Sequence, residues 1–255
     1  MGSLITYEKH EKNYGIIRLN RPEKRNAISL QMAELLKSNL QEAEMDDIKF
    51  LVITGTDDRM FSAGGDLHDL HADLSTEEAF DRLYPMMDVL NRIVQFPVPV
   101  IAKLNGDALG GGCELATACD IRIAKEHTKF GFIQTKIGIL PGWGGGVLLY
   151  KKVQPSFALD WIARGTVFSA EELQEKGWIH RIVPEADWMD DDLFDDYTEK
   201  SVEQMRLLKA QFKAHIGADG LFDVMIEDVR AAANLWESDA HREALAKFSK
   251  RKNGM

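Results

Sequence analysis

Pro99-Val100-Ile101-Ala102-Lys103-Leu104-Asn105-Gly106-Asp107-Ala108-Leu109-Gly110-Gly111-Gly112-Cys113-Glu114-Leu115-Ala116-Thr117-Ala118-Cys119-Asp120 is the stretch around which this chain is organised. Val100 to Leu104 has strand composition, Asn105-Gly106 is a turn signal, and three glycines open a segment of helix formers. Strand, turn and helix in that order predict an anion site. Glycines let a substrate carbonyl come close to the backbone, and the unpaired N–H groups of a helix start, at the positive end of its dipole, favour a developing negative charge. Glu114, three residues beyond Gly111, falls one turn further along the same face, so a backbone donor and a carboxyl address one bound group. The triplet alone also admits a plainer reading, a helix-to-strand packing contact with Glu114 solvated or capping.

The 255 residues suffice for one large domain, or for one domain with a helical appendage, and for a core that needs no staples. The formal charge of −10 disfavours nucleic acid and anionic membranes as partners. Cys113 and Cys119 are the only cysteines and read as packed thiols in a reducing compartment. No signal-peptide pattern opens the chain, and no apolar run approaches the roughly 20 residues of a membrane span, so the expected location is cytoplasmic.

Outward from the glycine stretch, Leu4 to Lys9 and Gly15 to Leu19 read as a β-hairpin. The loop from Arg18 to Ser29 carries four basic residues, either as a solvated connection or as a place for phosphates. Ser29 is an N-cap for a helix through Met32, Leu36, Leu40 and Ala43, and Phe50 to Thr54 is a strand buried on both faces. A second glycine pair, Gly64-Gly65, interrupts the chain before a helical segment and offers another exposed N–H. Ser62 stands in no Gly-x-Ser-x-Gly elbow and has no identifiable His/Asp partners, and His68 and His71 lack further clustered ligands, so neither a serine nucleophile nor a metal site is expected. Ser75 and Glu78 form a capping box that starts a helix to Gln95, and Gly142-Trp143-Gly144-Gly145-Gly146 is a third cluster whose backbone must approach something closely. Ser156 to Arg164 and Ala170 to Lys176 are helical, the second with a Ser169/Glu172 capping box, and Trp178 to Val183 is a last strand. Tyr197 to His215, Leu221 to Trp236 and Asp239 to Lys250 finish the chain as helices, giving an α/β core and an α-helical end.

Four spaced motifs carry a family likeness: Asn20-Arg21-Pro22 with Asn26-Ala27; Phe61-Ser62-Ala63-Gly64-Gly65-Asp66-Leu67; Ala108 to Leu115 with Cys119-Asp120; and Gly138 to Gly145. In order and spacing they resemble the crotonase superfamily, the enoyl-CoA hydratase/isomerase family, over essentially the whole chain. The resemblance implies an α/β crotonase-like (ClpP/crotonase) spiral of ββα units, with residues 1–196 as the acyl-CoA-binding and catalytic core. Residues 197–255 then form a helical trimerisation region, and the assembly is a homo-oligomer, a trimer or dimer of trimers. It implies an oxyanion hole from the N–H groups of Gly65 and Gly111, with Glu114 as the first hydratase glutamate. Substrate and coenzyme A contacts are implied at Lys24, Arg25, Ala63, Gly65, Asp66, Leu67, Gly142, Trp143 and Lys250. No metal and no cofactor beyond the coenzyme A of the substrate are implied.

One residue departs from the family pattern. The second hydratase glutamate falls at Gln134, whose amide hydrogen-bonds but is no acid at neutral pH. The segment from Phe132 to Gly145 also resembles that of ethylmalonyl-CoA decarboxylase, where a non-acidic residue holds this place. The expected function is therefore an acyl-CoA enzyme working through a stabilised enolate, with Glu114 as its clear acid/base. The alternatives are a decarboxylase of short malonyl-type thioesters and a weakly catalytic CoA-binding protein.

Overall fold

The amino-terminal hairpin begins the larger of two sheets in the computed structural model, which describes residues 2–66, 74–190 and 192–253, the last seven of these through their backbone alone. That sheet contains β1 (Ile5–Lys9), β2 (Gly15–Leu19), β3 (Leu51–Gly55), β5 (Val100–Leu104), β7 (Ile121–Lys125) and β10 (Arg181–Val183), in the order β1-β2-β3-β5-β7-β10. Only β1 runs antiparallel to its neighbour. A second sheet takes β4 (Met60–Ser62), β6 (Asp107–Leu109), β8 (Lys129–Gly131) and β9 (Phe168–Ser169) in that order, the first three parallel.

The helices follow the strand pairs. After α1 (Leu30–Met45), the unit strand–strand–helix recurs as β3-β4-α2 (Thr76–Gln95), β5-β6-α3 (Gly111–Ala118) and β7-β8-α4 (Gly145–Lys152), the expected spiral of ββα turns. Alternation of side chains explains why β2, β3 and β5 carry apolar residues on both faces. Ile17, Ile53 and Ala102, in register, face the main core under α1 and α2, whereas Ile16, Val52 and Ile101 meet Tyr14, Phe50, Trp188 and Phe194 on the other side. Ser29 caps α1 by accepting from Met32 N–H, and both predicted capping boxes, Ser75/Glu78 and Ser169/Glu172, are formed. Cys113 and Cys119 are buried and unpaired.

Three expectations change. Asn105-Gly106 does not lead straight into a helix but carries the chain from one sheet to the other, with β6 intervening. The Asn105 side chain binds Gly55 N–H, Asp57 O and Met60 O, and a Cβ on Gly106 would lie 2.3 Å from the Arg59 carbonyl carbon, so this crossing excludes any side chain. The helix expected over Tyr197 to His215 breaks into α7 (Asp195–Thr198) and α8 (Val202–Ile216), because Ser201 and Gln204 form a fresh capping box. The strand expected from Trp178 shrinks to β10, because Trp178 and Ile179 N–H turn back to Leu173 O. Helices α5 (Pro155–Arg164) and α6 (Ala170–Glu175) precede it; α9 (Leu221–Ala233) and α10 (Asp239–Asn253) end the chain. No helix among the described residues is long and apolar enough to cross a membrane.

Candidate active site

Glu114 sits in the middle of α3 with its carboxylate buried against the start of α4. Its Oε1 accepts from Gln134 Nε2 at 2.9 Å and Gly142 N–H at 3.2 Å, while Oε2 accepts from Trp143 and Gly145 N–H, both at 2.9 Å. These four donors occupy the carboxylate fully. The close approach needs a glycine: a Cβ on Gly145 would lie 2.4 Å from Glu114 Cβ. At the far end of α4, Lys152 Nζ donates to Ala118 O and Cys119 O at 2.9 and 2.8 Å. The helices α3 and α4 therefore run side by side in the same direction, with Glu114 held at the start of α4 and the Lys152 amine, whose proton affinity burial lowers to about 7, capping the last carbonyls of α3.

Burial is the leading influence on the Glu114 carboxyl and pushes it up from its ordinary 4.5 to about 7. The Trp143 and Gly145 N–H groups work against this, Asp228 of α9 adds to it, and Gln134 opposes it. Near pH 7 such a carboxyl can both take and give a proton. Gln134 lies in a 3-10 turn, Gln134–Ile137. Its Nε2 donates to Glu114, and its Oε1 is buried with no partner among the described residues.

The two remaining glycine turns adjoin each other beside this carboxyl. A Cβ on Gly64 would come within 2.9 Å of Gly111 N, and one on Gly112 within 2.3 Å of Ser62 O. A Cβ on Gly111 would strike the Trp143 ring at 2.3 Å. Gly65 bridges to Ile28 through Ile28 N–H to Gly64 O (2.8 Å) and Asp66 N–H to Ile28 O (2.9 Å). Among the described residues, the N–H groups of Gly65 and Gly111 donate to no backbone acceptor outside regular elements.

The basic loop props this turn up. Arg21 pairs with Asp66 Oδ2 at 2.7 Å and also donates to Ala27 O; Ser62 Oγ donates to Asn26 O and accepts from Gly64 N–H; Ala63 N–H donates to Arg25 O. Ser62 is thus a buried structural hydroxyl, and the Asp66 carboxylate is engaged by Arg21. Lys24 and Arg25 are exposed on the same loop, with Arg25 at φ 55°. Leu67, His68 and His71 and the side chain of Lys250 lie outside what is described, and the described residues hold no group of three or more metal-ligating side chains. Sequence reasoning passed over Asp228 and Lys152, neither of which stands in a glycine motif.

The sequence profile of the enoyl-CoA hydratase/isomerase family matches residues 9–254. A probable enoyl-CoA hydratase of Mycobacterium tuberculosis is 37% identical over 188 residues, covering 72% of this chain and 72% of that protein. The human mitochondrial methylglutaconyl-CoA hydratase is 30% identical over 250 residues, covering 94% of this chain and 74% of that protein. Among solved structures, a putative enoyl-CoA hydratase of Mycobacterium avium paratuberculosis superposes with a TM-score of 0.85 at 26% identity, covering 98% of this chain and 97% of that one.

Proposed function

Since this chain belongs to the enoyl-CoA hydratase/isomerase family, we propose that it hydrates 2-enoyl-CoA thioesters with Glu114 as acid and base. The observation that carries this reading is a buried carboxyl one turn from Gly111, beside the Gly64–Gly65 turn, with its proton affinity raised to near neutrality. In this scheme the thioester oxygen accepts from the Gly65 and Gly111 N–H groups. The Gly142 N–H, the longest of the four contacts to Glu114 at 3.2 Å, gives way to water, and Glu114 removes a proton from that water as the oxygen adds to C3, the double-bond electrons move onto the thioester oxygen as an enolate, and Glu114 returns the proton to C2. Each preorganised donor to such an oxyanion is worth about 3 kcal/mol of barrier. Gln134 holds Glu114 in place. Lys24, Arg25 and Lys250 meet the phosphates of coenzyme A, and Gly142 and Trp143 line the substrate. The exposed apolar side chains Leu207, Leu208 and Val224 on α8 and α9 suit burial in a homo-oligomer, a trimer or a dimer of trimers.

Gln134 favours a second reading, decarboxylation of a short malonyl-type thioester, because loss of carbon dioxide gives the same enolate without a base. Turnover of crotonyl-CoA and methylmalonyl-CoA by the wild type and Glu114→Gln separates them. The hydratase reading expects crotonyl-CoA hydration that falls about 10²–10⁴-fold in Glu114→Gln. Full activity of that variant would remove Glu114 from the chemistry, and an inert wild type on both esters would leave a CoA-binding protein.

A further inference from the structure

Helices α3 and α4 are hydrogen-bonded to each other at both ends. At one end Glu114 accepts from the Trp143 and Gly145 N–H groups at the start of α4, and at the other Lys152 donates from the last residue of α4 to Ala118 O and Cys119 O. Leu115 of α3 and Leu148 and Leu149 of α4 belong to the same buried core. Apolar packing is non-directional and resists sliding only weakly, whereas a donor at 2.9 Å leaves hydrogen-bonding range once it has moved about 0.5 Å. The register between the two helices is therefore held at their ends.

The reach of a lysine fits this task. Gly145 lies beside Glu114, so at a rise of about 1.5 Å per residue the Lys152 backbone stands roughly 10 Å further along and that of Ala118 roughly 6 Å. Side chains lean towards the start of their helix, and the lysine stem spans the difference backwards to bring its amine level with the last turn of α3. Cys119 O also accepts from Arg122 Nη1 at 2.8 Å, so Ala118 O is the carbonyl that depends on Lys152.

We propose that Lys152 is a positioning residue for Glu114: its clasp on the end of α3 fixes the register of α4, and with it the distance from the Trp143 and Gly145 N–H groups to the carboxylate. The inference rests on the reading of Glu114 as acid and base and adds what keeps that group tuned. Those two N–H groups oppose the upward push of burial on Glu114, so a slip of α4 that lengthens them lets burial act with less restraint. Asp228 is the charge that acts on Glu114 directly, and Lys152 works through α4. Around the Lys152 amine stand Asp120, Cys119, Arg122 and His180, with Lys209 and Phe212 of α8. Burial lowers its proton affinity, Asp120 and Cys119 oppose this, and Arg122 and Lys209 add to it. A neutral amine keeps two N–H donors, so the clasp holds in either protonation state.

The test reads the Glu114 carboxyl itself. Its side-chain carbon is followed by NMR against pH in protein carrying ¹³C-glutamate, the signal being assigned by its loss in Glu114→Gln, for wild type, Lys152→Met and Lys152→Arg. In Lys152→Met the Glu114 midpoint should rise by about 0.5–1 pH unit, whereas Lys152→Arg, which keeps the donors, should stay near wild type. Crotonyl-CoA hydration by Lys152→Met at pH 7 should show kcat lower by about two- to tenfold per folded molecule with KM little changed, and should recover as the pH is raised past 8. Should Lys152→Met fail to fold, Lys152→Gln, which falls short of both carbonyls, is read by the same criteria. An unmoved Glu114 midpoint in the folded variant, or an equal rise in Lys152→Arg, overturns the role of Lys152. A wild type inert on crotonyl-CoA would remove the hydratase reading and leave the Glu114 titration to judge Lys152 alone.

Discussion

Replacing Gln134 by glutamate puts a carboxylate where the amide now donates to Glu114. If the new oxygen takes the place of Nε2, it lies 2.9 Å from Glu114 Oε1. Two ionised carboxylates at that separation repel by about 6 kcal/mol at an effective dielectric constant of 20, which spreads their two ionisations by about 4 pH units. The pair therefore keeps one proton across neutral pH, as carboxylate dyads do. One member is then a base for water while the other is an acid for C2, the division of labour that Gln134 denies the wild type. Gln134→Glu should raise kcat for crotonyl-CoA hydration, within the 10²–10⁴-fold that a positioned acid–base group typically contributes, and produce a bell-shaped pH–rate profile. The assay is loss of the conjugated thioester chromophore across pH 5–9, with methylmalonyl-CoA decarboxylation run in parallel. On a malonyl-type ester the added negative charge should lower turnover by repelling the substrate's own carboxylate. A fall in hydration with a gain in decarboxylation would refute the assignment of position 134 as the missing acid.

Glu114 also makes stability depend on pH, and the sign follows from its raised proton affinity. A carboxyl at 4.5 when unfolded and about 7 when folded contributes stability that is complete below about pH 4.5 and lost as the pH rises through 7. Across that window wild type should lose up to about 3 kcal/mol relative to Glu114→Gln in urea unfolding; a difference that stays flat would mean that the four hydrogen bonds hold the carboxylate ionised throughout. Gly112→Ala should destabilise the fold by about 1–3 kcal/mol, because its Cβ would sit 2.3 Å from Ser62 O and force the two glycine turns apart. That variant should lose kcat more than proportionally to its folded fraction, and an unchanged melting temperature would contradict the packing described.

The sequence alone determined the features that depend on near neighbours. Helix caps at Ser29, Ser75 and Ser169 and alternation along β2, β3 and β5 act within a few residues, and local steric and hydrogen-bonding rules suffice to read them. The glycine clusters were legible for the same reason: a backbone that must approach another closely tolerates no Cβ. Strand Trp178 to Val183 and helix Tyr197 to His215 were overdrawn, because apolar content outweighed the turn bonds at Trp178 and the cap at Ser201. Spacing also singled out Glu114, but not its character. Its four donors come from Gln134, Gly142, Trp143 and Gly145, between 20 and 31 residues further on, and the Asp228 charge comes from a helix near the end of the chain. A carboxyl's proton affinity is a sum over burial, charges and donors in three dimensions, and chain order carries no term for it.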